Sequence, residues 1–119
     1  REIAEKHGTD ATFEPITSDV GLEVKRRTGK LGADAIIETS ENAAALQAAL
    51  RGIAYGGTNS YVALAKSFSQ GFNLGWESHI NNAKIAFSRA VREPKPDYTR
   101  WERKCIEEQC WELLMNCLL

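Results

Sequence analysis

The chain has 119 residues, 43% of them hydrophobic, which suits one domain-sized core and excludes two full domains. Fifteen Lys+Arg against sixteen Asp+Glu give a net charge of -1, which argues against phosphate-driven nucleic-acid binding. Apolar runs such as residues 43–46 fall far short of the roughly 20 residues that cross a bilayer, so no membrane role is expected.

Residues 1–7 read as the tail of a helix, with Gly8 in the position favoured for a C-cap and His7 beside it to suit the helix dipole. Residues 11–14, ending at Pro15, suggest a brief strand. Ser18 or Asp19 then caps a helix that carries Val20, Leu22 and Val24, continues into Lys25, Arg26 and Arg27, and closes at Gly29 and Gly32. Residues 33–39 hold Ala35, Ile36 and Ile37 in one run, the pattern of a strand buried on both faces in a parallel sheet. From Asn42, residues Ala45, Leu46, Ala49, Leu50 and Ile53 recur at helical spacing, and Gly56-Gly57 is expected to end that helix. Residues 58–64 then read as a second strand. A Gly/Phe/Ser-rich loop leads to a third strand at residues 84–88, and two prolines keep residues 92–99 extended or turned. Residues 101–119 return to helix, with Ile106, Cys110, Leu113, Leu114 and Cys117 as an apolar stripe. Alternating helices and strands predict an α/β fold with a mainly parallel sheet.

No self-contained catalytic constellation stands out. Neither G-x-G-x-x-G nor G-x-x-x-x-G-K-[ST] occurs, and Gly56-Gly57 lies between a helix and the strand after it, the wrong side for a phosphate cradle. The two histidines, His7 and His79, lack the i, i+4 pairing of a helical zinc site, and no serine sits in G-x-S-x-G. Cys105, Cys110 and Cys117 are an odd number with no C-x-x-C pair. They are expected to be free thiols packed as small hydrophobes in a reducing cytoplasm. What remains is position: open parallel sheets bind ligands beyond the carboxyl ends of their strands. The candidates are Thr39 and Ser40 after the first strand, Ala63, Leu64 and Ala65 after the second, and Ser88 and Arg89 after the third. Polar strand exits without a ligand are the competing reading of the same residues.

The run Gly32-Ala33-Asp34-Ala35-Ile36-Ile37-Glu38-Thr39-Ser40, the segment Ala44-Ala45-Leu46-Gln47-Ala48-Ala49-Leu50 and the turn Tyr55-Gly56-Gly57-Thr58 resemble the later half of the cofactor domain of zinc-containing medium-chain alcohol dehydrogenases. Gly75-Trp76-Glu77-Ser78-His79, Ser88-Arg89 and the stretch from Glu93-Pro94 to Trp101 resemble a less-studied zinc-binding dehydrogenase branch. The resemblance departs at Glu41 and Ala65, where the family favours glycine, which puts close cofactor approach there in question.

The resemblance implies a partial Rossmann-like, doubly wound parallel sheet lacking its opening β-α-β unit. Residues 1–99 would be dinucleotide-binding and residues 100–119 a helix returning towards a catalytic domain. It implies a parent enzyme that moves hydride between NAD(P) and a small-molecule alcohol or carbonyl, with zinc held by ligands outside these residues. Thr39, Ser40, Ala63, Leu64, Ala65, Ser88 and Arg89 would line the nucleotide and nicotinamide side, mostly through backbone groups. Subunits would pair as a homo-oligomer near residues 84–88. By itself the chain is expected to lack activity, hold no zinc and bind NAD(P) weakly. The alternative is a stand-alone α/β module that binds a partner or a small ligand without catalysis.

Overall fold

The structure, a computed structural model, describes residues 1–64, 67–68, 71–88 and 102–116. Its backbone divides into two compact units, Arg1–Thr12 with Ala90–Leu119, and Phe13–Arg89.

In the first unit, α1 (Glu2–Lys6) ends at His7, whose N–H donates to the Ile3 and Ala4 carbonyls, and Gly8 follows at φ +85°. This is the left-handed stop that glycine makes without a Cβ penalty. Helix α2 (Arg103–Met115) has no buried residue, with Trp111 66% and Met115 78% exposed. The thiols differ from expectation: Cys110 is exposed and Cys105 only half-buried, because α2 presents no packed stripe among the described residues. Trp101 and Cys117 lie outside the described residues.

The second unit begins irregularly. Residues 11–14, where the chain passes from the first unit into the second, form no strand, since a strand needs a neighbour to complete its ladder and none of the described residues provides one. Asp19 caps α3 (Val20–Arg27), its Oδ1 accepting the Leu22 N–H at 3.1 Å, and three basic residues occupy the last turn as the helix dipole favours. Arg27 lies over the Phe13 ring at 5.5 Å. Thr28 then receives the Gly32 N–H, and Gly32, at φ +91°, turns the chain into β1 (Ala33–Glu38).

Asn42 caps α4 (Ala43–Gly52) by accepting the Ala44 N–H at 2.8 Å. The helix ends at Gly52 and β2 (Ile53–Tyr61) starts at the next residue, four positions before the expected stop at Gly56-Gly57. Those glycines form an irregularity inside β2. Ala33 pairs with Ile53 while Ala35 pairs with Thr58, so the chain between them bulges out of the ladder. Gly56 sits at φ +73°, and a Cβ on Gly57 would stand 2.7 Å from Ile53 Cγ1. Against an expected span of residues 58–64, β2 ends at Tyr61 and leaves Val62, Ala63 and Leu64 beyond it. A short helix, α5 (Glu77–Ile80), occurs where the sequence suggested loop, and β3 (Lys84–Phe87) follows.

The strands form one parallel sheet in the order β1-β2-β3, as the α/β pattern predicts. Residues paired across parallel strands share a face. One face carries Ile36, Glu38, Asn59, Tyr61 and Phe87, and it packs under α4, where Leu46, Leu50, Ile53 and Tyr61 are at most 1% exposed. The other face holds Ala35 and Ile37, with Ile37 73% exposed. Burial of β1 on both faces is thus corrected to burial on one. Helices α3 and α4 pack against each other, α4 lies on the covered face, and no described element of this unit covers the other.

Candidate functional site at the carboxyl ends of the strands

Parallel pairing in register, Glu38 with Tyr61 and Tyr61 with Phe87, brings all three strand exits to one edge. The ladder runs one step further: the Val62 N–H donates to the Glu38 carbonyl and the Ser88 N–H to the Tyr61 carbonyl, each at 2.9 Å. Thr39, Ser40 and Ser88 leave their strands along this edge, and Ala63 and Leu64 follow the end of β2 at Tyr61. Ala65 and Arg89 lie outside the described residues.

Their side chains are not equally available. The Ser40 hydroxyl donates to Glu38 Oε1, which also takes the Ser40 N–H at 2.7 Å, and it accepts the Asn42 N–H at 3.3 Å. Ser40 thus spends its donor on its own turn. Ser88 Oγ shares a hydrogen bond of 2.8 Å with Ser60 Oγ. Thr39 is exposed at the lip of a cavity of about 1020 Å³ that runs between α3, β1 and α4 and has Phe72 on its wall. Glu41 adopts φ 58°, a left-handed conformation costly for a residue with a Cβ. That conformation gives the physical reason why glycine suits this turn.

A network that sequence reading missed holds the framework behind the edge. Arg51 on α4 forms ion pairs with Asp19, the cap of α3, and with Glu77, which opens α5. The hydrogen bond to Glu77 is the main cause that holds the Arg51 guanidinium above its ordinary pKa; partial desolvation opposes it and Asp19 adds to it. Gln47, one turn earlier, donates to Glu77 Oε2 at 2.7 Å and grips the Asn73 backbone in both directions. Asn73, after β2, is therefore anchored to α4. The available signal was Gln47 and Arg51 at i, i+4 on one helical face. His79, one of the two histidines, is exposed on α5. Among the described residues no three His, Cys, Asp or Glu side chains come together, so they present no donor set that fits zinc.

A family model described as zinc-binding dehydrogenase matches residues 1–99. The chain belongs to the zinc-binding dehydrogenase family. It is 68% identical over 115 residues to the D-guloside 3-dehydrogenase of Escherichia coli (strain K12), an alignment covering 97% of this chain and 33% of that protein. The protein of the same description from Shigella flexneri gives the same identity and coverage. The chain thus spans about a third of the length of these curated relatives. Among solved structures, an NAD-dependent alcohol dehydrogenase superposes with a TM-score of 0.75 at 18% identity, covering 99% of this chain and 31% of that one. Benzyl alcohol dehydrogenase from Acinetobacter calcoaceticus gives 0.73 at 12% identity, covering 98% and 30%. At such identities the likeness speaks for the fold, which is the Rossmann-like fold of medium-chain dehydrogenases.

Proposed function

We propose that the chain forms the later part, residues 1–99, of the dinucleotide-binding domain of a dehydrogenase, with residues 100–119 leading towards a catalytic domain. The whole protein moves hydride between NAD(P) and a small-molecule hydroxyl or carbonyl, and a sugar glycoside is the favoured substrate class given the relatives' D-guloside activity. One observation carries this reading: three parallel strands end together, and the exposed Thr39 stands on the lip of a cavity at that edge. The nicotinamide ring, when bound, accepts or returns the hydride.

This chain's own residues would bind and orient. The Thr39 hydroxyl, exposed and with no bond to another described residue, donates to an oxygen of the cofactor. Ser40, its donor committed to Glu38 and one lone pair to the Asn42 N–H, offers its remaining lone pair and its turn. Backbone groups of Ala63, Leu64 and Ala65, together with Ser88 and Arg89, complete the nicotinamide side. The described residues do not fit zinc, so no step is assigned to a metal here. No helix among the described residues is long and apolar enough to cross a membrane. On this reading the whole protein acts in the cytoplasm as a homo-oligomer that binds no nucleic acid.

The test is turnover by the whole protein, followed through nicotinamide absorbance, with NAD or NADP and with D-gulosides beside simple alcohols. Glycoside-dependent reduction of one dinucleotide is expected, with Thr39→Val raising the cofactor KM several-fold. Absence of turnover with both cofactors and both alcohol classes, by a folded protein, would remove the proposal.

A further inference from the structure

The covered face of the sheet holds a polar pair that the fold leaves unexplained. Asn59, in mid β2, is 0% exposed, and neither its Oδ1 nor its Nδ2 has a hydrogen-bond partner among the described residues. Glu38, 5% exposed, closes β1; Oε1 is taken by Ser40, while Oε2 is buried without a partner. Ile36 pairs with Asn59 and Glu38 with Tyr61, so Glu38 and Asn59 are diagonal neighbours on one face. Parallel strands about 4.8 Å apart, rising about 3.3 Å per residue, put such diagonal backbone positions about 8 Å apart, within reach for a long and a short polar side chain joined by one small molecule.

Buried polar atoms in folded proteins almost always find a partner. On these two side chains the bare atoms are two acceptors, Glu38 Oε2 and Asn59 Oδ1, and one donor, Asn59 Nδ2. Exchanging the amide's oxygen and nitrogen leaves that inventory unchanged. A water molecule supplies two O–H donors and accepts through its lone pairs, and internal waters typically make about three hydrogen bonds. A cation fits poorly, because Nδ2 offers it hydrogens rather than lone pairs. We propose that Glu38 and Asn59 hold one buried water that links the central strand to the turn leaving β1. Asn59 is then a positioning residue: it steadies the Glu38 carboxylate, whose other oxygen holds the Ser40 N–H and hydroxyl. The turn so steadied contains Glu41 in its left-handed conformation, which needs such support. This inference rests on the fold and stands or falls separately from the dehydrogenase reading.

Crystallography of the whole, unsubstituted protein at a resolution that places waters is the first arm. A density peak within hydrogen-bond distance of Glu38 Oε2 and both amide atoms of Asn59 is expected. A direct Glu38–Asn59 bond with no water between them overturns the proposal. The second arm is amide exchange in the whole protein carrying Asn59→Leu, which is nearly isosteric and cannot hold the water. Exchange in residues 38–42 should accelerate about tenfold or more while β3 keeps its protection, since one lost buried hydrogen bond is worth roughly one factor of ten. Unchanged exchange in residues 38–42 by a folded Asn59→Leu protein overturns the positioning role. The crystallographic arm needs no substitution, so the proposal stays refutable if Asn59→Leu does not fold.

Discussion

Gly21→Ala tests how closely α3 and α4 must approach. Gly21 is buried in the first turn of α3, and a Cβ built there stands 2.5 Å from the Ala48 carbonyl oxygen, 2.8 Å from Arg51 Cβ and 3.1 Å from Arg51 Cγ. Ordinary contact begins at 3.4 Å, so α3 would have to recede by up to 0.9 Å, the difference between 3.4 and 2.5 Å, because the nearest obstacle is backbone. Overpacking of this kind costs about 1–3 kcal/mol, against a helix-propensity gain of at most about 1 kcal/mol for replacing glycine. A net loss of about 1–2 kcal/mol is expected. Gly52, on the other side of the same contact, is the internal control: its added Cβ meets Gly21 Cα at 3.2 Å, Gly21 O at 3.3 Å and Val24 Cβ at 3.4 Å. Those distances ask for shifts of only tenths of an ångström, so Gly52→Ala should cost less than about 0.5 kcal/mol. Urea titration of the two variants of the whole protein, with amide exchange resolving α3 and α4, measures both. A Gly21→Ala protein as stable as its parent, or less affected than Gly52→Ala, would refute the close-approach argument.

Four further outcomes can be checked. Arg51→Met and Glu77→Gln, singly and together, should show a coupling energy of about 1 kcal/mol, discounted for an Arg51 side chain 36% exposed against 16% for Glu77; a coupling below about 0.3 kcal/mol would dismiss the strut. The folded Arg51 pKa is raised, so its stabilisation is fully present below the ordinary guanidinium range and lost only as pH rises through the folded value. The stability difference between the parent and Arg51→Met should then stay flat from roughly pH 6 to 9, and a slope traced to Arg51 in that window would count against the assignment. Gly32→Ala combines φ +91° with a Cβ 2.6 Å from the Ile53 carbonyl carbon, and should cost about 3 kcal/mol or more, read as loss of soluble folded protein. The 119-residue chain by itself should associate at micromolar concentration through its open sheet face, and Ile37→Thr, at a position 73% exposed, should lower light scattering while changing stability by less than about 0.5 kcal/mol.

Much of the fold was legible because local rules and tertiary packing agree. Asp19 and Asn42 occupy cap positions with the expected acceptors, and Leu46 and Leu50 lie on the buried side of α4, as their helical spacing requires. Failures fall where a tertiary neighbour decides. Residues 11–14 have strand-like composition yet pair with no described strand, and Ile37 belongs to an apolar run whose second face has no described cover. Gly56-Gly57 looked like a turn because glycine pairs usually are. The chain instead starts β2 at Ile53 and uses the glycines to absorb a bulge beside β1, a register event that no local window encodes.

The strand-exit edge was legible for a topological reason, since parallel order alone fixes which ends of the strands gather. Which exits are chemically available was not, because that depends on bonds made after folding. Thr39 and Ser40 are adjacent hydroxyls with equal claims in the sequence, and the fold separates them: Ser40 is drawn into the Glu38 carboxylate while Thr39 faces the cavity lip. Glu38 is a carboxylate closing an apolar strand, yet it is 5% exposed. Its burial follows from parity. Ile36 and Glu38 share the face under α4, and shifting Glu38 to solvent would carry Ile37 inward and Ile36 outward, giving up the burial of one large side chain to regain it with another while breaking the pairing with Asn59 and Tyr61. Register therefore constrains the carboxylate more strongly than its charge does, and the exit turn is built around that constraint.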